Sequence, residues 1–364
     1  MKLLCIFFLL IPGLLAAQSA QPTSKKTRQN SIVQPLRVEG DNKVPQSEDV
    51  NFSLAEASQK QPGFWLNDYT NRRNAFTSAD GFLNDAEVKQ LNQMVSEAEQ
   101  AIPASFELYY MQVRQHRNKA AGATFLEQAA LKGGLTHPLL LPEIAWIAER
   151  NNDKAARNKA IQAYDVAGQI SLAQATIASM STNIAGSRAL LVTNGEFDTY
   201  PLWSTAGNAH VISLAMLEDK EWLMRTLRAW DPSLKVNKIN NANELLRFLT
   251  ENARLPVYVS LSLRPDLLKA FANSLFPIGP LAKLQKEQVD LTSQLKGFYL
   301  KPAFEQELLK ISKADGYASV LANLLPGLVA LHHSGNALSA QEKSKVKSLI
   351  ALVSSISGKK IAYE

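Results

Sequence analysis

Cysteine is almost missing from this chain: the one present, Cys5, lies in an apolar run at the start. No disulfide framework is open to the rest of the sequence, so any fold must rest on a packed core. Histidine is scarce too. His116, His137, His210, His332 and His333 never stand four residues apart, and with no cysteine beside them the spacing of a zinc site does not occur. There is no glycine-rich phosphate loop and no G-x-S-x-G elbow, which removes two common nucleotide-binding and hydrolase patterns. No metal and no cofactor are expected. Beyond the opening segment no uncharged apolar run reaches the roughly 20 residues of a membrane-spanning helix. The formal charge is +6, but much of the excess (Lys25, Lys26, Arg28, Lys343, Lys345, Lys347, Lys359, Lys360) is spread over a tail and a helix without interleaved aromatics. A nucleic-acid surface would concentrate it, so nucleic acid is not an expected partner.

What is present begins with an export pattern. Met1-Lys2 precedes the apolar run Leu3–Ile11, then Pro12-Gly13 and the small residues Ala16-Ala17-Gln18-Ser19-Ala20. That layout predicts a signal peptide over 1–17, cleaved after Ala17, and a mature chain that is exported, periplasmic or envelope-associated, without a transmembrane span. Residues 18–63 are rich in Gln, Ser, Pro, Asn and Lys, and their apolar residues are isolated. Such a stretch buries too little surface to offset the entropy of ordering, and it reads as a disordered leader.

Over 64–180 the period is helical. The aromatic segment from Phe64 to Phe82 reads as a cap against the first helices. Val88, Leu91, Met94 and Val95 recur at three- and four-residue spacing, with Asn84 or Asp85 placed to cap their helix. Two helix pairs follow, and an offset of 36 relates Glu107 to Glu143, Ala120 to Ala156 and Phe125 to Ile161. Alanine-rich second helices at that repeat length are TPR-like. Near Arg188 the pattern changes. Ala189–Val192, Ala209–Leu214, Lys235–Ile239 and Pro256–Leu261 read as strands, with helices over Glu218–Trp230 and Ala242–Ala253 between them. Alternation of this kind predicts a small parallel-sheet, Rossmann-like α/β domain over 186–300. Helices over Ala303–Ser312, Tyr317–His333 and Ala340–Ser357 complete the C-terminal 301–364. The fold class expected is α/β and helix-rich.

One segment is distinctive: Leu190-Leu191-Val192-Thr193-Asn194-Gly195-Glu196-Phe197-Asp198-Thr199-Tyr200-Pro201-Leu202-Trp203. It resembles the T-N-G-D-N-D-T-Y/F-P-L-W signature of a bacterial family of large multi-pass membrane proteins of unknown function, related to protein O-mannosyltransferases of the GT-C type. Val211–Leu217 with Trp222, Leu255–Val259 and Leu325–His332 are similar to further stretches of that family. The resemblance covers about Arg188 to Leu284 and, more faintly, the C-terminal helices. It implies the soluble extracytoplasmic region of such a protein without the membrane half that would carry the catalytic acid. Glu196-Phe197 stands where the family tends to have Asp-Asn.

In an open α/β sheet ligands sit beyond the carboxyl ends of the strands, which is where Asn194, Glu196, Asp198 and Thr199 fall. Asp198-Thr199 are placed to cap a helix whose Pro201 suits its first turn, and Tyr200 and Trp203 offer stacking surfaces. Glu218 is a further acid for the rim of such a site. Tyr109, Tyr110 and Trp146 could line a groove for a partner on the helix pairs. No convergent reactive set is visible, so the sequence reads as a non-catalytic binding protein whose partner is an envelope protein or membrane complex, or a glycan. A carbohydrate-active enzyme centred on Asp198, and a purely structural envelope component, remain as alternatives.

Overall fold

The computed structural model describes residues 61–80, 83–205, 210–236, 238–287 and 289–359. The signal and almost all of the leader therefore lie outside the described residues. The segment expected to cap the first helices is itself a helix, α1 (Pro62–Asp80). Trp65 and Tyr69, four residues apart, give it a buried stripe. Helix α2 (Asp85–Ala101) starts at a reciprocal capping box. The Asn84 side chain accepts from the Glu87 N–H, and the Asn84 N–H is accepted by the Glu87 carboxylate at 2.7 Å. Its buried face is Leu91, Met94, Val95 and Ala98.

Helices α3 (Phe106–His116) and α4 (Ala121–Gly133) form one antiparallel pair, and α5 (Leu140–Arg150) and α6 (Lys154–Val166) the next. Small residues set how closely they approach. A Cβ on Gly122 would lie 2.6 Å from the His116 carbonyl oxygen, so only glycine fits where α4 begins against the end of α3. Ala129, Ala130, Ala156 and Ala160 continue the thin faces of the second helices. Helix α7 (Leu172–Ala185) leads into the sheet from a Ser171–Gln174 capping box.

The sheet has five strands: β1 (Leu190–Thr193), β2 (His210–Ser213), β3 (Val257–Ser260), β4 (Leu275–Ile278) and β5 (Leu281–Leu284), in the order β2-β1-β3-β5-β4. Strands β1, β2 and β3 are parallel, with Val192 opposite both Ile212 and Val259. β1 and β3 are buried at every position, as strands covered on both faces must be. Helices α8 (Glu196–Thr205), α9 (Lys220–Trp230) and α10 (Ala242–Asn252) lie between them in the chain.

The sheet is mixed, which corrects the expectation of a parallel one. β5 pairs antiparallel with β3, and β4 closes the edge as its hairpin partner. Ile278 pairs with Leu281, which leaves Gly279-Pro280 as a two-residue turn. Gly279 has φ +59, the sign required at the first central position of a II′ turn. Pro277 is tolerated because β4 is an edge strand. Lys235–Ile239, expected as a strand, forms none among its described residues. Leu234 and Ile239 instead bury their side chains as the two anchors of a connection.

Helix α11 (Pro265–Ala270) leads into the hairpin, and past it come α12 (Thr292–Tyr299), α13 (Pro302–Leu309), a 3₁₀ segment (Ala318–Leu324), α14 (Leu325–His332) and α15 (Ala340–Ser357). The main core runs without interruption from Ala145 and Trp146, through the strands, to Val353 and Ile356. The architecture is thus helix-rich around a small mixed sheet. One core joins α5 to α7, the sheet and the C-terminal helices.

Candidate functional site

Strand β1 delivers its chain to a tight turn, Asn194-Gly195, at the carboxyl edge of the sheet. Asp198 folds back over that turn. Its carboxylate accepts the backbone N–H of Asn194 at 3.1 Å and of Gly195 at 3.2 Å. It also accepts the Ser262 hydroxyl at 2.6 Å, from the loop that follows β3. Ser262 Oγ lies 2.7 Å from Ser260 Oγ. Asp198 therefore ties together the ends of two adjacent parallel strands. Burial raises its carboxyl above the ordinary aspartate value, and the hydrogen bonds from Ser262, Asn194 and Gly195 work against that rise. Beneath it Thr193 Oγ1 donates to the Ile212 carbonyl and lies 2.7 Å from Thr199 Oγ1, which links β1, β2 and α8.

Helix α8 begins at Glu196, so Asp198 and Pro201 lie inside it and not at its cap, as the sequence had suggested. Asp198 braces the turn in front of the helix. Pro201 has no N–H to give to the Phe197 carbonyl, one helical bond back. The Gln174 side chain fills that gap from α7, donating to Phe197 O at 3.2 Å.

Beside this turn is a network of four charges. Arg114 and Arg117, one turn apart at the end of α3, reach Glu143 in the first turn of α5 and Glu196 at the start of α8. Arg114 lies 2.8 Å from Glu196 and is also bonded to Glu143. Arg117 is paired with Glu196, lies 3.3 Å from Glu143, and meets the Tyr200 hydroxyl at 3.4 Å. The Arg117 guanidinium stands 3.9 Å over the Trp146 ring. The Glu143 side chain is fully buried, Arg117 is 5% and Arg114 12% exposed, and Glu196 keeps 28%. Burial alone would raise the Glu196 carboxyl, but the guanidiniums of Arg114, Arg117 and Arg73 outweigh it and hold it below the usual carboxylate range. Burial likewise works against the charge on Arg117, and Glu196 and Glu143 overcome it.

A second row of contacts joins the helix pairs to the turn after β2 and to α9. Arg150 meets Asp219 at 2.7 Å, and Asp219 also caps α9 through the Trp222 N–H. Glu149 takes the Trp222 indole N–H at 3.2 Å and Arg157 at 2.6 Å. Asn118 donates to the Ala215 carbonyl and accepts from the Trp146 indole.

Of the residues singled out in the sequence, the structure brings Asn194, Glu196, Asp198 and Thr199 together at one edge. Glu218 is exposed in the turn before α9 and takes no part in the network. Trp203 is 4% exposed and packs on Trp146 and Tyr200 with ring centres 6.0 and 5.8 Å away, so it is core and not a stacking platform. Tyr110 and Trp146 are buried as well, which removes them from any groove; Tyr109 is half-buried. Arg114, Arg117, Glu143, Ser260 and Ser262 were not anticipated. Glu143 carried a signal: it is the one acid at the head of the apolar run Leu139-Leu140-Leu141-Pro142-Glu143-Ile144-Ala145-Trp146, where only a paired charge is stable.

Among the described residues no three His, Cys, Asp or Glu side chains are grouped to hold a metal ion, and no helix is long and apolar enough to cross a membrane. The site and fold define a helix-rich α/β chain with a charge-locked turn at the carboxyl edge of its sheet. Compared with protein families, curated proteins and solved structures, the chain has no match.

Proposed function

We propose that this chain is an exported, non-catalytic binding protein of the bacterial cell envelope. In this reading TPR-like helix pairs and a Rossmann-like α/β part act as one rigid body, serving as an accessory to a membrane protein or a glycan-related complex. The observation that carries the reading is the state of the two carboxylates in the Asn194–Asp198 turn. Asp198 is occupied by two backbone N–H groups and a hydroxyl, and Glu196 by two guanidiniums. A general acid or base needs a free valence toward its substrate; these groups spend theirs on holding α3, α5, β1, β3 and α8 in register. The resemblance to an extracytoplasmic region of a transferase-like membrane family supports the same reading. The test is a crosslinking pull-down of the tagged chain from its native envelope, paired with a sugar-donor turnover assay on the purified chain. Stoichiometric recovery of one multi-pass membrane protein and no turnover is the expected result; turnover by the purified chain would overturn it.

One observation favours an enzyme instead. The Ser260–Ser262–Asp198 chain places a hydroxyl 2.6 Å from a carboxylate of raised pKa, at the junction of β1 and β3 where α/β enzymes bind substrates. In that case Asp198→Asn would abolish turnover while leaving the thermal midpoint near that of the wild type.

A further inference from the structure

The opposite edge of the sheet holds a cavity of about 440 Å³, lined by Ser187, Arg188, His210, Trp230, Asp231 and Arg254 among others. Its walls come from the residues entering β1, the first residue of β2, the end of α9 and the loop before β3, so it lies at the amino ends of three parallel strands. Arg188 and Arg254 are exposed, and neither guanidinium makes an ion pair with a described residue. The Trp230 indole N–H donates to the Arg188 carbonyl at 3.0 Å, which leaves the ring as a fixed wall. Asp231 is only 5% exposed. Its Oδ1 accepts the Ser233 N–H and hydroxyl, at 2.9 and 2.6 Å, but its Oδ2 has no hydrogen-bond partner. Burial and the nearby Lys154 hold the His210 imidazole below its ordinary pKa, so it enters the cavity as a neutral donor or acceptor.

These groups specify a ligand by chemistry. Two unpaired guanidiniums on one small cavity select an anionic group that they can grip in a planar fork. The Asp231 Oδ2 is buried without a donor, which is costly, and a turn of that carboxylate toward the cavity would let it accept a hydroxyl brought by a ligand. The volume is that of a small metabolite. We propose that the amino-edge cavity binds a small hydroxylated anion, a sugar phosphate or a sugar acid. Arg188 and Arg254 hold its charged group, and Asp231 accepts one of its hydroxyls. The site is separate from the Asn194–Asp198 turn and does not rest on the envelope reading, so its failure would leave that reading in place.

The test is calorimetric titration of the full chain with glucose 6-phosphate and with glucuronate, using glucose and inorganic phosphate as partial ligands. Saturable binding of one charged sugar, at least about tenfold tighter than either partial ligand, is expected. The double variant Arg188→Ala/Arg254→Ala should weaken it by about tenfold or more at an unchanged thermal midpoint, because both side chains are exposed. Asp231→Asn keeps the Oδ1 acceptor for Ser233 and should weaken the charged sugar while leaving inorganic phosphate unaffected. The proposal is overturned if neither charged sugar saturates at millimolar concentration, if phosphate binds as tightly as the sugar phosphate, or if binding survives loss of both arginines.

Discussion

Removing the charge of Glu143 should destabilise the protein far more than removing any surface acid. Glu143 is fully buried between Arg114 and Arg117, and Glu196 is the other carboxylate bonded to those guanidiniums. Glu143→Gln keeps the shape and one acceptor oxygen but leaves two desolvated cations facing a single anion. One unit-charge pair about 4 Å apart at an effective dielectric of 20 is worth about 4 kcal/mol. Breaking buried pairs by removing one partner costs about 3–5 kcal/mol. At about 2–4 °C per kcal/mol, the thermal midpoint should fall by roughly 6–20 °C. Glu305→Gln is the control. Glu305 lies 3.9 Å from Lys345, with 44% and 35% of the two side chains exposed, and its loss should change stability by no more than about 0.5 kcal/mol. Urea unfolding of both variants at neutral pH measures the difference. A Glu143→Gln variant within about 1 kcal/mol of the wild type would refute the argument, because it would mean that water reaches the network.

Three further outcomes are expected. The Glu196 carboxyl is held below its unfolded value of 4.5, so its contribution is complete above that pH and drains as pH falls; the urea midpoint of the wild type should therefore drop more steeply below pH 4.5 than that of Glu196→Gln, and parallel curves would contradict the assignment. Asp198→Ala strips the acceptor from two backbone N–H groups and a hydroxyl and should cost about 2–3 kcal/mol; a change below about 1 kcal/mol by chemical denaturation would remove its role as a tie between β1 and β3. Gly279→Ala should cost about 2–4 kcal/mol, since it places a Cβ at positive φ and 2.5 Å from Ile184 Cδ1. Gly134→Ala, at φ +82 with nothing within 4 Å of its Cβ, should cost clearly less, and equal losses would show that packing adds nothing at the hairpin.

Local rules carried the sequence reading where one element could be judged by itself. Helix α15 spans Ala340–Ser357, the range expected, because Ser339 and Glu342 form a capping box and Gly358 ends it in the left-handed conformation. The three parallel strands were legible as short apolar runs, since strands covered on both faces have no polar side to interrupt them. The β4–β5 hairpin was hidden by its own chemistry: Pro277 and Gly279-Pro280 interrupt the apolar runs that mark a strand, yet an edge strand and a II′ turn accept them. Lys235–Ile239 failed in the opposite way. Val236 and Ile239 suggested a strand, but a strand's place in a sheet depends on a neighbour, and the positions beside β3 went to β1 and β5. At the candidate site the turn Asn194–Asp198 could be seen because its residues are contiguous. Arg114, Arg117, Glu143 and Ser262 could not, since their meeting is a property of the packed helices and not of any spacing along the chain.

The charge network also bears on why the turn is so firmly fixed. Buried ion pairs are weak evidence for stability, because desolvation consumes most of what attraction returns. Their more reliable effect is on register. The buried positions of α3 and α5 are otherwise mostly apolar, among them Tyr110, Met111, Val113, Leu140 and Ile147, and apolar contact by itself does not fix register. Arg114 and Arg117 do fix it, because each must find both Glu143 and Glu196. A shift of one helical turn, about 5.4 Å, would strand two guanidiniums and a fully buried carboxylate. Because Glu196 opens α8 and Asp198 lies two residues on, the same constraint that aligns the helix pairs also sets the turn at the end of β1. The helical part and the sheet are therefore positioned as one unit by residues far apart in sequence. A protein that works by presenting a fixed surface needs that coupling, and a turn free to rearrange around a substrate would be hindered by it.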